Sequence, residues 1–293
     1  MEKVLFDSSF LKKLEFLKFV SKRAYRGKIR GEHSTQKRGM SLEFSDYRNY
    51  QDGDDYKYVD WNVYSRLDKL FLKIFTAEED LTIHLLLDTS RSMAFGTPPK
   101  IDYARKVAAA LGFIGLTALD RLAIASFSSK LGQIFAPRRS RNYLTAMFEF
   151  FNRIECDGET DFSKSLADYA LSSKRLGKVV VISDFYDEKG LEKGLDALKF
   201  RKFDIALVHI VDEEEINPRL SGSVRLVDIE TGVMRDLSIT RGVLERYYET
   251  LEAFFQRLET YCMKSGIEYF RASTIIPFED LVLRHLRQGS LIK

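Results

Sequence analysis

The residues with the clearest chemical character are Asp88, Ser90 and Ser92, a carboxylate followed by two hydroxyls at alternate positions. Oxygen donors of this kind suit a hard divalent cation. Mg²⁺ takes an octahedral shell of oxygens at about 2.0–2.1 Å and usually keeps several waters. Neutral hydroxyls with one or two carboxylates leave such an ion under-neutralised, so it draws one more anionic oxygen from outside. The motif is short, and Asp and Ser also act as local hydrogen-bonders in turns. Spacing alone leaves both readings open.

Positioning these side chains requires a strand, a loop and a helix. Leu81–Leu87 is an apolar run of the kind that forms a strand buried on both faces. It stops at Asp88, and beyond Gly96 and Pro98-Pro99 a helical pattern runs from about Ile101 to Leu119, apolar almost all round. Strand, polar loop and helix place Asp88, Ser90 and Ser92 at the carboxyl end of a parallel strand, the edge where open α/β sheets bind ligands. Strands are expected at Arg121–Ser128, Lys178–Asp184 and Phe203–Val211, and an edge strand at Leu131–Phe135 with Pro137 just beyond it. Helices are expected at Asn142–Arg153, Ser163–Ser173 and Leu191–Phe200. This alternation predicts an α/β fold with a doubly wound, mostly parallel sheet, Rossmann-like in kind.

Residues 224–239 break the rhythm. Turn chemistry at Asp228-Ile229-Glu230-Thr231-Gly232 between two strand-like runs predicts an inserted hairpin. Leu244, Tyr247, Tyr248, Leu251, Phe254, Phe255, Leu258 and Cys262 then mark one face of a long helix, expected to pack in the core and to end at Gly266. A strand at Ile267–Phe270 and a helix at Phe278–Arg287 close the chain.

The N-terminal part divides by charge. Residues 1–41 carry eleven basic side chains against four acidic ones. Phe10, Leu14 and Leu17 recur at helical spacing from about Ser9 to Arg23, so a basic amphipathic helix is expected. Such a helix can lie on an acidic membrane or on nucleic acid, but docking of its apolar stripe on the protein is the simpler reading. Residues 42–80 reverse the sign, with ten acids against five bases. Arg48, Tyr50, Asp54, Asp55, Asp60 and Trp61, the only tryptophan, lie in a run dense in turn formers and aromatics. The expected division is an N-terminal extension, 1–78, and a core domain, 79–293.

A chain of 293 residues with 45% hydrophobic and 30% charged residues is ordinary for a globular protein, and its net charge of +3 implies no general affinity for nucleic acid. No signal peptide is visible, and the longest uncharged run, Val107–Leu119, is too short for the roughly 20 residues of a membrane span. Cys156 and Cys262 form no metal-binding or redox pair, so two reduced thiols in a cytoplasmic protein are expected.

The Asp88-Thr89-Ser90-Arg91-Ser92 loop resembles the metal-ion-dependent adhesion site of von Willebrand factor A-type domains. That resemblance implies two more ligands: Thr160, in Gly158-Glu159-Thr160-Asp161, and Asp184, after the strand Val179–Ser183. The implied cofactor is Mg²⁺ or another divalent cation such as Mn²⁺. A second resemblance covers nearly the whole chain. Gly31-Glu32-His33, Arg38-Gly39, Glu43-Phe44, Arg48-x-Tyr50, Gly53-Asp54-Asp55, Asp60-Trp61, Glu78, Leu86–Met93 and Phe95-Gly96 resemble the signature of the family catalogued as domain of unknown function 58. The family is bacterial and archaeal with a von Willebrand factor A-like core. It implies a MoxR-type AAA+ ATPase, or a client that the ATPase remodels, as the partner.

The function expected from these features is a non-catalytic, metal-dependent protein–protein interaction module, with Arg91 beside the incoming acid. Two alternatives are a phosphoester hydrolase using Asp88 as nucleophile and a metal-free scaffold whose hydroxyls cap loops. The hydrolase reading lacks an acid/base: the position two after Asp88 is Ser90, and the four histidines show no paired ligand spacing.

Overall fold

The computed structural model describes residues 8–19, 42–77, 81–187, 190–288 and 291–292. The chain divides into two compact units, residues 23–81 and residues 1–22 with 82–293. The described residues 8–19 fall in the larger unit. The motifs Gly31-Glu32-His33, Arg38-Gly39 and Glu78 lie outside the described residues.

The larger unit begins with helix α1, Ser8–Leu14. Phe10, Leu14 and Leu17 are buried while Lys12, Lys13 and Lys18 face water. The Phe10 ring meets Phe278 edge-on at 5.1 Å, so the apolar stripe docks on the protein itself. The expected continuation to Arg23 is not seen as far as Phe19, whose backbone instead bridges to Ile292; residues 20–23 lie outside the description.

The smaller unit holds an antiparallel pair, β1 (Leu42–Asn49) and β2 (Phe71–Ala77), joined across helix α2 (Trp61–Leu67). Asp60 caps α2, its Oδ1 accepting from the backbone N–H groups of Asn62 and Val63.

The core sheet has six strands. In chain order they are β3 (Thr82–Asp88), β4 (Arg121–Phe127), β5 (Leu131–Arg138), β6 (Lys178–Ser183), β7 (Asp204–Val211) and, after the hairpin β8–β9 (Gly222–Val227 and Met234–Ile239), β10 (Glu268–Ser273). The spatial order is β10-β7-β6-β3-β4-β5, parallel except for β5. Counting only these six in sequence, this is the doubly wound order 3-2-1-4-5-6, and the strand order reverses between β3 and β6. β5 runs through Pro137 to Arg138 rather than stopping before it, which an edge strand tolerates because one side makes no ladder bonds.

Period-two burial explains why β3 has no exposed face. Ile83 and Leu85 turn toward helix α3 (Lys100–Thr117), while His84 and Leu86 turn toward the helices on the other side, α5 (Phe162–Ser172) and α6 (Leu191–Phe200). Helix α3 is buried almost all round because Ala and Gly let it approach closely. A Cβ on Gly115 would meet Ile83 Cδ1 at 2.7 Å. Helix α4 (Leu144–Asn152) packs beside α3. A short helix α7 (Glu213–Ile216) follows β7, and α8 (Arg241–Ser265) follows the hairpin.

The stripe on α8 is only half a core face. Phe255, Leu258 and Cys262 are buried, but Tyr247 and Tyr248 are 38% and 40% exposed. The first half of α8 is therefore largely exposed, and its tyrosines stay partly in water, contrary to expectation. Residues 278–288 form broken helical turns instead of one regular helix. Both cysteines are free. Among the described residues no helix is long and apolar enough to cross a membrane.

Candidate metal centre

Asp88 is the last residue of β3 and Asp184 follows the last residue of β6, so the two carboxylates leave adjacent strands where the strand order reverses. Both are buried, Asp88 completely. Asp88 Oδ1 accepts from the Ser90 backbone N–H at 2.9 Å, and Oδ2 from the Ser183 hydroxyl at 2.6 Å. Ser183 Oγ in turn accepts from the Phe185 N–H at 2.9 Å, which fixes its hydrogen toward Asp88. Each carboxylate oxygen of Asp88 retains further lone-pair capacity.

The Asx turn made by Asp88 brings Ser90 and Ser92 round the rim, with their Oγ atoms 2.9 Å apart. The loop is pinned to the Thr160 segment by backbone bonds: Arg91 N–H to Gly158 O at 3.0 Å and Asp157 N–H to Thr89 O at 2.8 Å. At the far end of the loop Gly96 has φ of +95°, and a Cβ there would lie 2.6 Å from Asp212 Oδ2. Only glycine fits both requirements.

Burial, and then the like charge of Asp184, push the Asp88 carboxyl up to about 7 against the hydrogen bonds from Ser183 and Ser90. Asp184 Oδ2 takes the ammonium of Lys100 at 2.8 Å, and the same ammonium reaches Glu215 Oε1 at 2.5 Å. Lys100 is fully buried. Burial disfavours its charge, but Asp184 and Glu215 outweigh that and keep its pKa above the ordinary value. Burial raises the Glu215 carboxyl, and Lys100 pulls it back only in part. Glu215 Oε2 also accepts from the Asp212 N–H, closing a capping box on α7.

Thr160 is linked to the serines through Glu230, at the tip of the β8–β9 hairpin. Thr160 Oγ1 donates to Glu230 Oε1 at 3.4 Å, and the Ser92 hydroxyl and the Thr160 backbone lie close enough to favour this carboxylate's charged form. Burial raises the Glu230 pKa, and these contacts oppose the rise. One carboxylate thus bonds Thr160 and lies beside Ser92, two of the five expected ligand residues. Among the described residues no group of three or more His, Cys, Asp or Glu could hold a metal ion by itself, so a cation here would depend on hydroxyls too. Two buried carboxylates of like charge with three hydroxyls are a hard-oxygen set, and it fits a small divalent cation.

The other motif residues each have their own local surroundings. Arg91 pairs with Asp157 at 3.1 Å on the surface. Within the smaller unit Arg48 pairs with Asp54 at 2.8 Å, Tyr50 stacks on Tyr56, Asp55 caps the turn 56–58 and Asp60 caps α2. Trp61 is 57% exposed. Lys100, Ser183, Glu215 and Glu230 escaped sequence reasoning. For Ser183 the signal was its place before a strand-end aspartate; a lysine at the start of a helix gives none for burial.

This chain has similar sequences and similar solved structures among known proteins. Uncharacterized proteins of Mycobacterium tuberculosis and Mycobacterium bovis are each 26% identical to it over 238 residues, covering 80% of this chain and 75% of theirs. Similar solved structures include the conserved hypothetical protein BatB from Bacteroides thetaiotaomicron, with 12% identity, TM-score 0.43, 72% of this chain and 98% of that one. A von Willebrand factor type A protein from Catenulispora acidiphila matches with 15% identity and TM-score 0.36, covering 49% of this chain and 36% of that one. The model of the family described as "Protein of unknown function DUF58" matches residues 46–254. The chain belongs to that family.

Proposed function

We propose that this protein is a non-catalytic interaction module that binds a partner's carboxylate through a divalent cation, Mg²⁺ or Mn²⁺. The observation that carries this reading is the pairing of Asp88 and Asp184 on adjacent strand ends, beside a rim of hydroxyls. Asp88, Ser90, Ser92, Thr160 and Asp184 would hold the ion, directly or through water. Bound there, it would supply a positive charge able to accept one more anionic oxygen.

The protein's own groups prepare the site. Ser183 and the Ser90 N–H orient Asp88. Lys100 offsets part of the charge on Asp184, which leaves the site anionic but short of full neutrality. The family resemblance points to a MoxR-type AAA+ ATPase or its client as the partner, in a chaperone-like assembly or maturation step in the cytoplasm.

The hydrolase reading is less well supported. A nucleophilic carboxylate must reach its substrate, yet Asp88 is fully buried with an oxygen held on each side. Calorimetric titration of Mg²⁺ or Mn²⁺ into the wild type and Asp88→Ala tests the metal site: binding is expected in the first and lost in the second. Capture of a MoxR-type ATPase that chelator abolishes would establish the partner. Metal-independent capture would overturn the mechanism, and turnover of a generic phosphoester would restore the enzyme.

A further inference from the structure

The β8–β9 hairpin is exposed along nearly its whole length. Within residues 222–239 only Val224, Glu230 and Ile239 are partly covered. At its tip Ile229 is 44% and Val233 54% exposed, so the hairpin leaves apolar side chains in water while sheltering a glutamate. Hydrophobic burial would have chosen the opposite. The sheltered carboxylate of Glu230 meets Thr160, whose Oγ1 donates to its Oε1 at 3.4 Å, and the Ser92 hydroxyl beside it also favours the charged form.

The turn itself is built to aim this residue. Asp228 Oδ1 accepts from the N–H groups of Glu230 at 3.0 Å and Thr231 at 2.8 Å. Gly232, at φ +72°, brings the chain back so that its N–H reaches Asp228 O at 2.8 Å and the Asp228 N–H reaches Val233 O at 2.9 Å. The left-handed conformation at Gly232 is one that a side chain would strain. Glu230 is therefore delivered by a braced tip onto Thr160 and beside Ser92, two of the hydroxyls that the metal reading assigns as ligands.

We propose that Glu230 is a tethered carboxylate that takes the coordination position otherwise open to a partner's acid, so that the hairpin closes the site in the partner-free protein. This rests on the metal-bound reading of the site and adds its regulation. A tethered group competes at a high effective concentration, in the millimolar range for a short tether. An isolated carboxylate in solution competes poorly against it. A partner succeeds only by bringing contacts beyond its acid, and its binding swings the hairpin tip away.

The test uses Mn²⁺ as probe and water-proton relaxation as readout, because relaxation counts the exchangeable waters on the bound ion. The full chain, Glu230→Ala and Asp228→Ala are compared at saturating Mn²⁺, then titrated with glutarate. The wild type is expected to give the lowest relaxivity per bound ion, Glu230→Ala the highest, and Asp228→Ala, which keeps the carboxylate but loosens its turn, an intermediate value. Glutarate should displace water in Glu230→Ala at a concentration lower by about tenfold or more than in wild type. Amides of 228–233 should exchange faster in Glu230→Ala. Mn²⁺ binding with equal relaxivity and equal glutarate response in all three overturns this inference alone. No Mn²⁺ binding to any of them overturns the metal reading and this inference with it.

Discussion

Two buried lysines, each gripped by two carboxylates, stand at opposite ends of strand β6. Lys178 opens the strand and bonds Glu268 Oε2 at 2.9 Å and Asp204 Oδ2 at 3.4 Å. Lys100 meets the strand's other end through Asp184, with Glu215 as its second partner. The local chemistry is the same, but the settings differ. Lys178, Asp204 and Glu268 each begin a strand; the β6–β7 ladder puts Lys178 opposite Asp204, and Glu268 enters one strand over, opposite Ala206. The Lys100 group hangs from a helix start, a strand end and the short helix α7, and it adjoins Asp88 and Glu230. With Asp88 and Glu230 counted, one ammonium there faces four carboxylates, against two for Lys178. A closed ionic set on strands holds a fold together, whereas an open one on loops leaves charge for something else to answer.

Replacing each lysine breaks the comparison or sharpens it. Lys178→Met removes the buried ammonium that Asp204 and Glu268 share and should cost about 3–5 kcal/mol, measured by urea denaturation. Lys100→Met should cost a similar amount in chelator. Millimolar MgCl₂ should return part of that loss for Lys100→Met and none for Lys178→Met. Equal responses of the two variants to Mg²⁺ would mean that the open and closed sets do not differ in kind.

Asp88 gives the next largest effect, with a defined sign. Its folded pKa of about 7 lies above the ordinary 3.8, so the folded state binds the extra proton between those values. Metal-free stability should therefore fall as pH rises from about 4 to about 7. Asp88→Asn removes the buried charge, keeps an acceptor for the Ser90 N–H, and should raise metal-free stability at pH 8 by roughly 2–4 kcal/mol. The same variant should lose the stabilisation that a bound divalent ion confers on the wild type. Denaturation at pH 5 and pH 8, with and without Mg²⁺, separates the two effects. A destabilised variant in chelator at pH 8 would show that Asp88 holds the fold as an anion.

The scaffold titrates in the opposite direction. Burial pushes the imidazoles of His84 and His209 down, to about 4 and about 3. Each ring sits among aromatic side chains with Nδ1 2.7 Å from a tyrosine hydroxyl, of Tyr169 and Tyr269 respectively. Their contribution is complete above about 6.5 and is lost as pH falls toward those depressed values, at up to about 3 kcal/mol for His84. Acid denaturation of wild type should steepen below about pH 6.5, and His84→Asn should flatten that limb from a lower starting stability. An unchanged acid limb would show that His84 is not what acid attacks.

These contrasts mark what the sequence could carry. Runs such as Leu81–Leu87 and Val179–Ser183 are legible because burial on both faces leaves no alternating polar face in the pattern. Asp88, Ser90 and Ser92 are legible because neighbours in sequence share one turn. Lys100, Glu215 and Glu230 were not, because each gains its meaning from partners that only folding brings near. The stripe on α8 misled for a related reason: period shows which side chains align, not where along the helix burial ends. The strand order, too, follows from pairing that no local pattern encodes.

The smallest effect belongs to Arg91, and it probes the rim of the open set. Its guanidinium bonds Asp157 at 3.1 Å, but the two side chains are 52% and 84% exposed. An ion pair so open to water and salt contributes little to stability, and Arg91→Ala should shift it by less than about 0.5 kcal/mol. The same exposure leaves the charge near the mouth of the site, where it can steer an acidic partner. Association of the captured partner should slow in Arg91→Ala and become less sensitive to salt, with dissociation little changed. Stopped-flow binding over a range of ionic strength checks this. A stability loss above 1 kcal/mol, with salt dependence intact, would instead make the Arg91–Asp157 pair a brace between the two loops.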